Sequence, residues 1–152
     1  MILPVTGNHP GISAAARWQH FRHDSDIGIR GTGPSRAEAF EQAAMALTAV
    51  ITDLRRVRAS HTVEVRCRNA DRELLFVDWI DAVVYEMYTR KMLFSDFRVE
   101  ISGSNLLGSL SGEPINVARH QPVVEVKGAT LSELQVRQTA DGQWHAQCIV
   151  DV

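Results

Sequence analysis

The densest group of chemically capable side chains is His23-Asp24-Ser25-Asp26, followed by Ile27-Gly28-Ile29. An imidazole beside two carboxylates can ligate a metal ion or exchange protons. The same residues can equally form a solvated Asx turn between two strands. A second candidate is the end of the sequence, where Asp151 precedes Val152 and its α-carboxylate directly after a strand-like run. Two such oxygen donors on a strand, joined by a third carboxylate, suit Mg²⁺, Ca²⁺ or Mn²⁺ more than zinc. Without that third group they are a solvated terminus. A third candidate is Gly112-Glu113-Pro114, Arg119-His120 and Glu125-Val126-Lys127. Lys127 takes the parity opposite Val124 and Val126, so an alternating strand aims it away from the core, toward solvent or toward a site.

Several common chemistries lack their residues. The sequence has no G-x-x-x-x-G-K-[ST] phosphate cradle, no G-x-S-x-G elbow and no H-E-x-x-H pair. The cysteines, Cys67 and Cys148, form no C-x-x-C pair and sit in alternating segments. They read as free thiols of two strands, which fits a reducing, cytoplasmic setting. No apolar run is long enough for a transmembrane helix.

The candidates need elements to hold them. Residues 17–23 and 27–32 read as short strands around a polar turn, anchored by Trp18 and Phe21. Ser35 and Glu38 make a capping box, and Phe40, Ala43, Ala44, Leu47 and Ile51 recur at helical spacing. This predicts an amphipathic helix over 36–52, with Glu41, Gln42, Thr48 and Thr52 on its other face. Residues 61–68 alternate as a half-buried strand. A wide apolar stripe (Leu75, Phe76, Trp79, Ile80, Val83, Met87) predicts a second helix over 71–90, with Asp78 and Asp81 opposite. Beyond Lys91 strands dominate: Phe97–Ile101, a turn at 103–105, an irregular excursion over 112–122, and a strand through Val124 and Val126. Asp141-Gly142 signals a two-residue hairpin before the final strand over 143–151. Residues 1–16 read as a mobile leader, leaving one domain over 17–152.

The chain has 152 residues, with 16 Lys+Arg against 18 Asp+Glu. One domain with a self-sufficient core is expected at this length. The near-neutral balance argues against a protein that coats nucleic acid. Two helices among mostly sequential strands predict an α+β fold on a largely antiparallel sheet.

Together these pieces resemble the archease family, over residues 18–152. His23, Asp26, Ile27 and Gly28 match the family's opening His-Thr-Ala-Asp-[Ile/Val]-Gly motif. Glu38-Ala39-Phe40-Glu41-Gln42-Ala43-Ala44 matches its early helix, and Leu74-Leu75 with Asp78-Trp79 matches its second. Gly112-Glu113-Pro114, Arg119-His120 and Glu125-Val126-Lys127 follow in order, and Val150-Asp151-Val152 matches the terminus. Asp24-Ser25 replaces Thr-Ala, and Ser132 stands where many members carry His.

The resemblance implies an activator, not an enzyme. Its partner would be the RtcB-type RNA ligase, whose GTP-dependent guanylylation and repeated turnover archeases promote in tRNA splicing and RNA repair. It implies a divalent cation (Ca²⁺, Mg²⁺ or Mn²⁺) held by Asp26, Asp151 and the Val152 carboxylate. It also implies a functional Lys127, with His23 and Asp24 near the partner contact. Strong direct nucleic-acid binding and membrane association are not expected. The competing readings are a metal-dependent hydrolase using His23, Asp24 and Asp26, and a chaperone-like protein-binding module.

Overall fold

The computed structural model of the protein describes residues 6–7 and 16–152. In chain order its strands and main helices begin with β1 (Thr6–Gly7), β2 (Arg17–His23), β3 (Asp26–Gly33), α1 (Arg36–Ile51), β4 (His61–Arg68) and α2 (Arg72–Arg90). They continue with β5 (Met92–Ser102), β6 (Asn105–Pro114), α3 (Val117–His120), β7 (Gly128–Ala129), β8 (Gln135–Gln138) and β9 (Trp144–Asp151). The predicted single sheet is two antiparallel sheets. Sheet A runs β1-β2-β3-β9-β7 with β8 also on β9, and sheet B runs β4-β6-β5.

Most of the leader lies outside the described residues. Where it is described, Thr6 and Gly7 pair with Gln19 and Trp18, and Ala16 is buried.

α1 starts where the capping box places it: Ser35 Oγ accepts from Glu38 N at 3.1 Å. It is not amphipathic as predicted, because it lies between the two sheets. Glu41, Gln42, Thr48 and Thr52 are all buried. Gly31 on β3 admits the helix on one side, since a Cβ there would lie 2.0 Å from Ala39 O. On the other side α1 serves β5, the edge strand of sheet B. Glu41 Oε2 accepts from Val99 N at 2.8 Å and Thr48 Oγ1 donates to Phe94 O at 2.7 Å. Backbone groups that would otherwise be orphaned on a covered edge thus find partners in helix side chains.

α2 buries the predicted stripe. Trp79 is fully enclosed, donates to Phe40 O at 2.9 Å and lies against Gly108 of sheet B. Two local expectations change. Residues 121–127 form no strand; regular pairing starts only at Gly128. The turn at Asp141-Gly142 is longer than two residues: Thr139 N donates to Gln143 O at 2.7 Å and Gly142 takes a φ of 86°.

Candidate functional site

β2 and β3 form a hairpin whose last pair is His23 opposite Asp26. Asp24 and Ser25 are its turn, and Asp24 adopts a left-handed φ of 56°. Asp24 projects into solvent, with its carboxylate 4.0 Å from His23 Nδ1. His23 Nε2 lies 3.3 Å from Glu133 Oε1 across the face of the sheet. The hydrolase constellation of His23, Asp24 and Asp26 is therefore an exposed hairpin tip.

β3 pairs with β9 through Ile27 and Val150. Continuing that register by one residue sets Asp26 opposite Asp151, at the spacing of about 5 Å between Cα atoms of an antiparallel pair. On the other side of β9, Asp151 pairs with Gly128, and Lys127 N donates to Asp151 O at 2.7 Å. The backbones of Asp26, Asp151 and Lys127 thus lie at one end of sheet A, brought there from three distant segments, and Val152 follows Asp151. All four are exposed. Among the described residues no carboxylate is at ion-pair distance from the Lys127 ammonium.

Lys127 and Asp151 share a cleft of about 470 Å³ with Asp81, Tyr85, Tyr88 and Thr130. Asp81, on the side of α2 opposite its apolar stripe, also belongs to this cleft. Its Oδ1 accepts from Ala129 N at 2.8 Å, tying α2 to β7. Gly128 permits this approach, because a Cβ there would lie 3.0 Å from that oxygen. An acid opposite the stripe of a helix that packs beside a sheet edge was the available signal. Behind the cleft Cys148 is buried, and burial followed by the Asp81 charge pushes its thiol up to about 12. It is inert packing. Cys67, pushed up to about 11 by burial, is also free.

Ser132, at the position of the often-found histidine, serves the backbone. Its carbonyl accepts from Ile149 N at 3.0 Å.

The cleft opens into an apolar groove of about 730 Å³ through the shared residues Val84 and Tyr88. Tyr88, Val117 and Val123 stand on it at 73%, 69% and 76% exposure, an unusual concentration for a solvated surface. The groove's far wall is fixed by Glu113. Arg119 grips that carboxylate bidentately at 2.6 and 2.7 Å, buried His120 Nε2 meets it at 3.0 Å, and Arg58 N donates at 2.7 Å. Asn116 N donates to His120 Nδ1 at 2.9 Å, so the ring is the neutral tautomer with its proton on Nε2. The Gly-Glu-Pro and Arg-His motifs are consequently a structural clasp, not a reacting pair.

Among the described residues no three His, Cys, Asp or Glu side chains converge as a metal site. A cation at the end of sheet A would therefore need the main-chain carboxylate of Val152 beside Asp26 and Asp151. This donor set is all oxygen and anionic, and its chemistry fits a hard divalent ion.

Fold and site together define a class: a small α+β domain, with one helix held between two antiparallel sheets, whose acids and lysine gather at a sheet end beside an apolar groove. The family model described as the Archease protein family (MTH1598/TM1083) matches residues 18–152, and the chain belongs to that family. It is 32% identical to Protein archease of Pyrococcus furiosus over 140 residues, covering 90% of this chain and 99% of that protein. Protein archease of Pyrococcus abyssi is 34% identical with the same coverage. The solution structure of Methanobacterium thermoautotrophicum protein 1598 superposes with a TM-score of 0.78 at 31% identity, covering 89% of this chain and 98% of that one. A Thermotoga maritima structure, described as an archease and possible chaperone, shares the fold with a TM-score of 0.56 at 15% identity, covering 87% and 94%.

Proposed function

We propose that this protein activates the RtcB-type RNA ligase, promoting its GTP-dependent guanylylation and repeated turnover in tRNA splicing and RNA repair. One observation supports the reading: β3, β9 and the segment before β7 bring the backbones of Asp26, Asp151 and Lys127 to one end of sheet A, beside an apolar groove. Like charges at that spacing repel, so the cluster favours a cation or a cationic partner group. Asp26, Asp151 and the Val152 carboxylate would hold Ca²⁺, Mg²⁺ or Mn²⁺, which would supply a fixed positive charge to the ligase's nucleotide or metal site. Lys127 would face the anionic groups of that site, and the hairpin tip with His23 and Asp24 would border the contact. The groove offers apolar area for a protein partner. No step of bond chemistry falls to this chain. Free Cys67 and Cys148 support a cytoplasmic setting, and no described helix is long and apolar enough to cross a membrane.

The test is ligase stimulation by variants. Asp26→Ala and Asp151→Ala should abolish it while unfolding stays cooperative, and Lys127→Ala should reduce it strongly. Full stimulation by both aspartate variants would sink the proposal. The exposed apolar groove favours one alternative, a chaperone-like module. Suppressed aggregation of unrelated clients, with no effect on the ligase, would select it.

A further inference from the structure

Strand parity divides sheet A into an inner face against α1 and an outer face. On the outer face, Arg17, Thr32, His145 and Arg137 form one row across β2, β3, β9 and β8. Gln19, Arg30, Gln147 and Gln135 form the next, about 7 Å away along the strands. Arg30 is held in place: its Nε donates to Gln147 Oε1 at 2.7 Å and its guanidinium lies 4.7 Å over the Phe21 ring. Burial, then Arg137 and Arg17, push Arg30 below the usual arginine value; burial, then the same arginines and Arg30, lower His145. These charges therefore feel one another.

Two more arginines stand at the same end of the sheet but on its inner side, apart from these rows. Arg36 and Arg72 occupy the first turns of α1 and α2, where the helix dipole disfavours cations. Arg72 lies 5.6 Å over the ring of Trp144, the first residue of β9, and its charge lowers Arg36 further after burial. Among the described residues none of these five arginines has a carboxylate at ion-pair distance. The nearby acids are otherwise engaged. Asp141 takes Thr139 Oγ1 and Gln143 N, Asp71 caps α2, and Glu73 accepts from Val136 N. Stability does not explain three unpaired arginines set against one another on the outer face, and such local conflicts concentrate at functional sites.

We propose that this basic end of sheet A binds the phosphodiester backbone of single-stranded RNA. Arginine forks match phosphate oxygens, and Gln19 and Gln135 add neutral donors between them. The choice of RNA among phosphate polymers rests on the ligase reading above; the anion chemistry does not. The basic rows cross β9 at Gln147 and His145, roughly 14 and 20 Å along the strand from Asp151. One end of the sheet face can therefore touch the strand while the acidic end reaches the enzyme. Binding through so few contacts is weak at physiological salt, consistent with a near-neutral chain.

The experiment is fluorescence anisotropy of a labelled single-stranded RNA with the whole protein at low and moderate salt. A DNA strand of the same sequence and inorganic phosphate serve as comparison arms. A Kd on the order of 10⁻⁵ M at low salt, weakening steeply with salt, is expected. Arg17→Gln with Arg137→Gln, both exposed positions, should weaken binding about fivefold or more and lower the salt slope by about 2. Glu64→Gln, at an exposed position of β4 in sheet B, should not weaken it. RNA bound more tightly than the DNA strand supports RNA, and equal binding of both supports the phosphodiester site while removing the RNA assignment. No binding at low salt, binding unaltered in the double variant, or preference for phosphatidylserine vesicles over RNA would overturn the proposal. Ligase stimulation without RNA binding would refute this inference alone; RNA binding without ligase stimulation would refute the functional reading alone.

Discussion

Two buried glutamates work in opposite senses. Glu113 is held far below the usual carboxylate range, first by the Arg119 hydrogen bonds and then by Arg58 N and His120, against burial. Its stabilisation is complete at neutral pH and is lost as pH falls below the ordinary carboxylate value. Glu113→Gln should lower the Tm at pH 7 by several degrees and blunt the acid sensitivity below pH ~4.5. Thermal unfolding against pH checks both. Glu41 is raised from 4.5 to about 7, chiefly by burial, with Val99 N opposing. A carboxyl raised on folding favours the native state at low pH, and that contribution disappears as pH rises from about 4.5 through about 7. Glu41→Gln keeps an acceptor for Val99 N. It should flatten stability across that window and stabilise the protein at pH 8, with roughly 3 kcal/mol as an upper bound. A variant as pH-dependent as the wild type between pH 5 and 7 would contradict this assignment. Of the candidate site residues, Asp26, Asp151 and Lys127 are those the resemblance nominates. Asp81 gave only a partial signal, its place opposite the apolar stripe, because an acid on a helix does not tell which loop will present a bare N–H to it.

At the scale of elements, α1 is the joint of the fold. It fills sheet A through Gly31 and completes the edge of sheet B through Glu41 and Thr48. Gly31→Ala would drive a methyl into the helix backbone and should cost about 1–3 kcal/mol or more, read by chemical denaturation. Gln42 is fully buried, and its side-chain amide has no hydrogen-bond partner among the described residues. Gln42→Met should therefore raise stability, by about 1 kcal/mol. The apolar periods of α1 and α2 and the alternation of β4 were read correctly from the sequence. The burial of the polar side of α1 was not, because periodicity reports one buried face and is silent when a second sheet covers the other. The misplaced strand at 124–127 has a similar origin. Val126 does point inward, but the backbone first reaches β9 at Lys127 N, and ladder pairing starts only at Gly128.

Across the whole molecule, a formal charge of −2 conceals segregation along one sheet. Acids and Lys127 gather at the end built by the β2–β3 hairpin and the chain's last residues. Unpaired arginines gather at the other. Composition registers only the sum, so the separation became visible when register put Arg17, Arg30, Arg137 and His145 on one face. The apolar groove lies beside the acidic end, where a protein partner would bury it. Ligase activation is the role proposed for this surface. It is tested most directly by the rate of GTP-dependent guanylylation of the RtcB-type ligase from the same source, with and without the wild-type protein. The account predicts a clear acceleration and restored turnover after the first ligation round. An unchanged rate and unchanged turnover, with the two proteins at equal concentration and divalent cation present, would contradict it.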